Sequence, residues 1–316
     1  MKVTFIKPNM GLVRGRPYLD RGRMEPLTFA VLAGQLSPDV ECVLYDDRFE
    51  KIPYEEHTDL VCLNVEIYTA RRSYEIAARY RAQGVNVVMG GFHVSMIPEE
   101  AAAHADAIMI GDAEGVFPQL VADAAAGRLQ RVYQGFFPPM LEGLRTRWDL
   151  FDGKSYLPLR LTQFSRGCLN HCRFCATGSL YKRSHCHRPP AEVVAELAEQ
   201  PNPFLFFVDD NIIGDIDAAK ELFRLLIPLR CRWVGQGSLN FTEDPELMDL
   251  MKRSGCAGLV VGFESVSPEN LHLMGKNCNL QLEGYEPAIR KIREIGFQLW
   301  AAFLIGYDHD DQAAEV

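Results

Sequence analysis

The sequence predicts an α/β protein of two domains, a doubly wound, Rossmann-like domain followed by a partial β/α barrel. Three observations carry this expectation. Short β-branched runs alternate with amphipathic helical stretches through most of the chain. The alternation breaks at 135–157, and when it returns its strands end on polar residues. At 316 residues, 47% of them hydrophobic, the chain is long enough to bury two cores.

The first domain, 1–134, opens with the strand "KVTFIKP" and a long loop. "PLTFAVLAGQLS" then carries apolar residues at helical spacing behind Pro26, a good first-turn residue. "VECVLYDD", "LVCLNVEI", "NVVMGG" and "AIMIGDAEG" follow as strands, with "RRSYEIAARYRAQG" and "FPQLVADAAAG" as helices that close on Gly84 and Gly127. That order predicts a parallel sheet covered on both faces, with ligands beyond the carboxyl ends of its strands. The loops 7–24, 46–49, 64–69, 90–95 and 111–115 occupy those ends.

The stretch 135–157, "GFFPPMLEGLRTRWDLFDGKSYL", gains Pro, Gly and aromatic residues and reads as a linker. From 158 to 316 five β/α steps appear, with strands "LRLTQFS", "FLFFVDD", "RWVGQGSLN", "GLVVGFES" and "LWAAFLIGY". Polar residues at the strand ends place an active face there, as in a barrel. "DHDDQAAEV" stands where the next helix is due, so the expectation is a barrel truncated after strand five, with "LWAAFLIGY" as an open edge prone to pairing.

A net charge of −9 argues against a protein that grips nucleic acid and favours a small-molecule substrate. The opening "MKVTFIKPN" is too short and polar for a signal peptide, and no stretch reaches the roughly 18 apolar residues of a membrane span. A cytoplasmic location follows as the expectation. In that reducing compartment cysteine spacing is read for metal or redox chemistry. Cys42, Cys62, Cys186, Cys231, Cys256 and Cys278 are scattered, and most of them read as small buried residues.

The other three lie together in "RGCLNHCRFCATG", as Cys168, Cys172 and Cys175. A zinc site needs a fourth ligand, which Cys186, flanked by His185 and His187, could supply. A redox pair of Cys172 and Cys175 fits less well, because no helix N-terminus is expected there to lower a thiol pKa. Three thiolates suit an iron–sulfur cube better, leaving one iron open.

C-x-x-x-C-x-x-C at the end of the first barrel strand, with Phe174 before the third cysteine, resembles the signature of radical S-adenosylmethionine enzymes. The resemblance implies that Cys168, Cys172 and Cys175 hold a [4Fe–4S] cluster whose fourth iron chelates S-adenosylmethionine. Reductive cleavage would give methionine and a 5′-deoxyadenosyl radical. Asp209 and Asp210, in "VDDN", would accept hydrogen bonds from the methionyl ammonium; the alternative is that Asp210 or Asn211 caps the next helix. Gln236, Ser238 and Asn240 share a strand face by two-residue alternation. Glu264 matches a family position that contacts the nucleotide or methionyl group, and an acid ending an apolar strand calls for a partner. Ile305 and Gly306 resemble the segment that backs the adenine, or else are core.

The first domain resembles the cobalamin-binding class of the same superfamily through "GGFHVSMIPEEAAAHADAIMIGDAEG". Gly90, Gly91, Gly111 and Gly115 would let the backbone approach the corrinoid, and Glu114 supplies the acid of the pattern. Where many such proteins carry a cobalt-ligating His, Tyr45 to Lys51 has none, and His93 stands outside that context. Either cobalamin binds without a protein ligand below cobalt or the domain has lost it. The leading expectation is a cobalamin-dependent radical methylase of an unactivated carbon, served by an electron donor such as flavodoxin or ferredoxin. An oxidative cyclase or rearranging enzyme is the second reading, and a non-catalytic iron–sulfur sensor the third. Natural-product scaffolds, hopanoid-type lipids and tetrapyrroles are the substrate classes the resemblance offers.

Overall fold

The computed structural model describes residues 1–310 apart from 14–15, 18–22, 137–138, 140 and 200–203, in two compact units, Met1–Leu157 and Pro158–Val316. In the first unit the strands are β1 (Lys2–Lys7), β2 (Glu41–Asp46), β3 (Leu60–Asn64), β4 (Asn86–Gly90), β5 (Ala107–Ile110) and β6 (Val132–Gln134). All pair in parallel in the order β2-β1-β3-β4-β5-β6. The order reverses at β1, the switch point at which such sheets open a crevice.

The helices are α1 (Leu27–Gly34), α2 (Ala70–Ala82), α3 (Phe92–Met96), α4 (Pro98–His104) and α5 (Phe117–Ala125). Alternation along β1 sends Phe5 against Phe29 of α1 and Phe117 of α5, with ring centroids 5.2 and 5.9 Å away. Ile6 enters the opposite cluster with Ile76, Ala77 and Tyr80 of α2. Both faces are covered, which is why β1 reads as a continuous apolar run.

Two features differ from the sequence reading. Strand β6 has only three residues, too few for a periodic signal. The expected linker is largely part of the first unit: Leu141, Trp148, Leu150 and Phe151 are buried, and the Arg147 amide donates to Ala30 O at 3.0 Å. Its aromatic residues lack a regular period but carry too much apolar surface to remain in water.

The second unit contains β7 (Arg160–Thr162), β8 (Ser165–Gly167), α6 (Ala176–Leu180), β9 (His185–His187), α7 (Pro190–Glu199), β10 (Phe204–Phe207), α8 (Ile216–Leu226) and β11 (Arg232–Gly237). It continues with α9 (Pro245–Arg253), β12 (Cys256–Glu264), α10 (Pro268–Met274), α11 (Asn277–Leu280), α12 (Tyr285–Ile295) and β13 (Gln298–Phe303). Five strands pair in parallel and in sequence, β7-β10-β11-β12-β13, the arrangement of an arc of a β/α barrel. Among the described residues β13 pairs with β12 alone, and Trp300 on it is 75% exposed.

Trp233 anchors this core. It stacks on Phe223 at 4.9 Å, meets Phe207 edge-on at 5.6 Å, and donates its indole N–H to Ser254 Oγ at 3.1 Å. Helix α8 is capped by Asp215, whose carboxylate accepts from the Ala218 amide at 3.0 Å. Asp210 and Asn211 are therefore free of the capping role considered for them. The segment expected to be one strand, "LRLTQFS", is divided into β7 and β8, and β8 pairs antiparallel with β9.

Candidate active site

The cysteine loop leaves β8 at Gly167, whose φ of +81° and close approach to the Ser184 carbonyl leave no room for a side chain. Two neighbouring acids at the end of β10 fix its base. Asp209 is fully buried and accepts from the Phe164 amide at 3.1 Å, the Ser165 amide, and Ser165 Oγ at 2.6 Å. Burial pushes its pKa up to about 7 against the opposing pull of these bonds. Asp210 accepts from the Gly167 amide at 2.9 Å and from Thr177 Oγ1 at 3.1 Å. The acidic pair thus orients the loop, and both oxygens of Asp209 are engaged by the chain itself.

Cys168, Cys172 and Cys175 are free and partly buried. Burial raises the pKa of Cys168, and that of Cys172 to about 11. Repulsion from the neighbouring thiols adds to both shifts, while Lys276 opposes the rise at Cys172. The three sulfurs therefore share one electrostatic neighbourhood. Among the described residues no three His, Cys, Asp or Glu side chains could hold a single metal ion. A zinc ion needs all its ligands within about 2.3 Å of one point, whereas a cluster takes each thiolate on a different iron and keeps the sulfurs apart. The donor set fits a cluster.

Cys186 does not complete a zinc site. Its Sγ lies 3.8 Å from the Arg166 carbonyl across the β8–β9 hairpin, and His187 stacks on Phe164 at 5.2 Å. One expectation about this loop is corrected: a helix does begin there, since α6 starts at Ala176 with Cys175 at its N-cap. "ATGSL" carries no amphipathic period that would have announced it.

At the end of β11, Ser238 is a junction. Its hydroxyl accepts from Asn170 Nδ2 at 3.0 Å and Asn211 Nδ2 at 3.1 Å, and its amide donates to Asn211 Oδ1 at 3.2 Å. Gln236 Nε2 donates to the Asp209 carbonyl at 3.4 Å. Asn170 and Asn211 thus tie the loop to two strand ends. They escaped the sequence reading as partners because polar loop residues carry no period.

Glu264 ends β12 with a φ of +67°, uncommon for a residue with a side chain, where the pairing with β13 slips register. Its carboxylate lies 3.2 Å from Lys276 Nζ, and both residues are 8% exposed. Burial works against the charge of Lys276, but Cys278, Cys172 and Glu264 together hold its pKa up. Phe174 is partly exposed beside the cysteines, and Ile305 is 70% exposed, adjoining Leu304, whose amide donates to Glu264 O at 2.9 Å. Ile305 is therefore outside the core. The run "GKNCN" placed Lys276 and Cys278 far from the triad in sequence, and only packing brings them to it.

In the first unit Gly90 and Gly91 close β4. Gly91 has a φ of +103°, and a side chain there would strike Asn64 and the Val65 backbone. The Gly111 amide donates to Ser95 Oγ at 2.9 Å, and Glu114 is buried. His93 is buried with Nε2 3.1 Å from Tyr74 Oη and 3.5 Å from Glu100 Oε1, so this nitrogen is engaged with α2 and α4, while the buried Nδ1 has no hydrogen-bond partner. After β2, Arg48 forks onto the buried Asp46 at 2.9 and 2.7 Å, and Arg72 onto Asp47 at 2.8 Å twice.

A parallel β/α arc with a three-thiol loop leaving β8, shortly after its first strand, defines a class. Residues 162–316, nearly half of the chain, match the radical SAM superfamily. Over 300 residues the chain is 28% identical to the bacteriochlorophyllide d C-12(1)-methyltransferase of Chlorobaculum tepidum, covering 91% of this chain and 66% of that protein. It is 29% identical over 310 residues to the C-8(2)-methyltransferase of the same organism, covering 90% of this chain and 68% of that one. The chain thus spans about two thirds of these curated relatives. The fold is also that of the radical S-adenosylmethionine methyltransferase TsrM from Kitasatospora setae, solved with cobalamin and a [4Fe-4S] cluster bound: TM-score 0.72, 19% identity, 96% of this chain and 69% of that one. Among the described residues no helix is long and apolar enough to cross a membrane.

Proposed function

We propose that this chain is a cobalamin-dependent radical S-adenosylmethionine methyltransferase acting on a carbon of a small molecule. The observation that carries the reading is the short loop holding three partly buried free thiols, Cys168, Cys172 and Cys175, that leaves β8 just beyond the first strand of the arc. When bound, the cluster supplies the electron that cleaves the sulfonium, and the corrinoid supplies the methyl group.

The chain's own residues hold and shield. Cys168, Cys172 and Cys175 are the cluster ligands. Asp209 and Asp210 brace the loop from below through the β8 backbone, and Ser238, through Asn170 and Asn211, braces it from the side. Glu264, strained and held by Lys276, is the carboxylate set toward the methionyl or nucleotide portion of S-adenosylmethionine, with Ile305 near the adenine. In the first unit Gly90, Gly91 and Gly111 allow close backbone approach to the corrinoid, with Glu114 behind them. The lack of a histidine between Tyr45 and Lys51, and the engagement of His93 Nε2 by Tyr74 and Glu100, support a corrinoid that would be held without a protein ligand to cobalt. Flavodoxin or ferredoxin would deliver the electron, in a reducing cytoplasm that keeps the thiols free. The names of the relatives favour a ring-bearing substrate and methylation over cyclisation.

The test is anaerobic reconstitution with dithionite and S-adenosylmethionine, with and without hydroxocobalamin, measuring 5′-deoxyadenosine, methionine and retained corrinoid. Deoxyadenosine that falls to background in Cys172→Ala, with corrinoid retained by the parent chain, is the expected result. Deoxyadenosine without corrinoid would remove the methylcobalamin step. A cluster that never cleaves S-adenosylmethionine would favour the sensor.

A further inference from the structure

Glu264 stands at the centre of a tight turn that side chains from a later segment hold shut. The Ser265 amide donates back to Phe263 O at 2.9 Å, which closes a γ-turn around Glu264, and the φ of +67° marks the rarer, strained form of that turn. Strand pairing gives way at the same point: Gly262 faces Ala302 and Glu264 faces Phe303, so Phe263 has no counterpart on β13. A strained turn persists only where its surroundings over-determine it. Tyr285, the first residue of α12, sets its hydroxyl 2.8 Å from Phe263 O and 3.0 Å from Ser265 O, the two carbonyls that flank Glu264. Its ring meets Phe263 edge-on at 4.6 Å. Asn279, only 4% exposed, donates from Nδ2 toward Gly262 O, Phe263 O and Tyr285 Oη, each at 3.1 Å. The carboxylate that this turn aims lies back over Gly262, where a Cβ would strike Glu264 Oε1 and come within 2.9 Å of Lys276 Nζ. Relaxing the turn to negative φ would re-aim the Cα–Cβ bond and carry the carboxylate off both.

We infer that Tyr285, supported by Asn279, is a positioning residue for S-adenosylmethionine. By clamping the carbonyls on either side of Glu264 it keeps the γ-turn, and with it the direction of the carboxylate set toward the methionyl or nucleotide portion. This rests on the reading of Glu264 as that carboxylate. The Tyr285 hydroxyl and the Asn279 amide are spent on the chain's own carbonyls, so both act through Glu264.

The experiment compares the anaerobically reconstituted wild-type chain with Tyr285→Phe, Glu264→Ala and the double variant. Iron per chain, the thermal midpoint, hydrogen exchange of the amides 262–266 and the Kd for S-adenosylmethionine by equilibrium dialysis are measured. Tyr285→Phe keeps the ring against Phe263 and removes only the hydroxyl. It should keep the iron content of wild type, speed exchange within 262–266, and raise the Kd by roughly tenfold, the net worth of one hydrogen bond. Glu264→Ala should raise the Kd at least as much, and adding Tyr285→Phe to it should raise it no further, the non-additivity of two residues that act as one. A Tyr285→Phe chain with a lowered thermal midpoint and an unchanged Kd, beside a weakened Glu264→Ala, makes the tyrosine purely structural and overturns the proposal alone. So does a Kd that Tyr285→Phe raises equally with and without the Glu264 carboxylate. If Glu264→Ala binds S-adenosylmethionine as wild type does, the reading of Glu264 falls and the proposal falls with it.

Discussion

Both sheets end parallel strands in adjacent aspartates, but the two pairs are treated differently. In the first unit Asp46 and Asp47 are each gripped by a guanidinium fork, from Arg48 and Arg72, and Glu50 takes Lys154 at 2.7 Å. In the second, Asp209 and Asp210 accept from backbone amides and hydroxyls at the base of the cysteine loop, and a single lysine serves Glu264 and two thiols. A bidentate fork satisfies a carboxylate and fixes a loop. Backbone donors and a shared ammonium instead hold groups in position while leaving charge to be compensated by something else. The first arrangement is finished by the chain, and the second fits a site completed by a cofactor.

Lys276→Met is the severest test of that contrast. It leaves the Glu264 carboxylate buried without its cation, at a cost of about 3–5 kcal/mol. Thermal unfolding should show the loss, and Glu264→Gln combined with Lys276→Met should recover most of it. An additive double mutant would mean the pair does not interact as its 3.2 Å contact indicates.

Asp209 gives a pH signature. Its folded pKa, about 7, lies above the ordinary value of 3.8, so the folded state holds the proton more tightly than the unfolded one. The resulting stabilisation is fully present below pH about 4 and is lost as pH rises toward 7, by no more than roughly 4 kcal/mol. Urea midpoints of the cluster-free chain should therefore fall between pH 5 and pH 7.5, and fall less in Asp209→Asn. Equal slopes would assign the proton elsewhere.

Arg48→Leu probes the other pair. Asp46 keeps Tyr156 Oη at 3.0 Å and the Arg48 amide at 3.1 Å, so the expected loss is about 2–3 kcal/mol, less than for a carboxylate stripped of every partner. Iron uptake should be unchanged, whereas Lys276→Met should lower it. Equal effects of both variants on iron would erase the distinction between the two sheet ends.

Much of this was legible in sequence where a local signal existed. The buried strands of β1 and β3 announce themselves by unbroken apolar runs, and the cysteine triad by spacing that few other chemistries need. The rest depended on packing between distant segments. Asp209 and Asp210 are chemically the same residue, and only burial assigns one to the interior and the other to Gly167 and Thr177. Lys276 and Cys278 sit about a hundred residues after the triad, in a polar turn with no motif. The strain at Glu264 is a backbone property with no residue signature, and β9, "HCH", is too short and polar to read as a strand.

Ser238→Ala carries the smallest expected effect and the most specific one. It removes the hydroxyl that accepts from Asn170 and Asn211 but leaves the backbone bond from the Ser238 amide to Asn211, so stability should fall by only about 1–2 kcal/mol. The loosened element is the cysteine loop, because Asn170, which donates to the Ser238 hydroxyl, lies within it. Cluster content should therefore hold while the KM for S-adenosylmethionine rises several-fold, with kcat little changed, since positioning of the bound cofactor is what is lost. Ser238→Thr, which keeps the hydroxyl, should restore most of the affinity. If Ser238→Ala lowered stability as expected but left KM alone, the junction would be holding only the strand ends, and the loop would owe its position to Asp209, Asp210 and the Met274 contact instead.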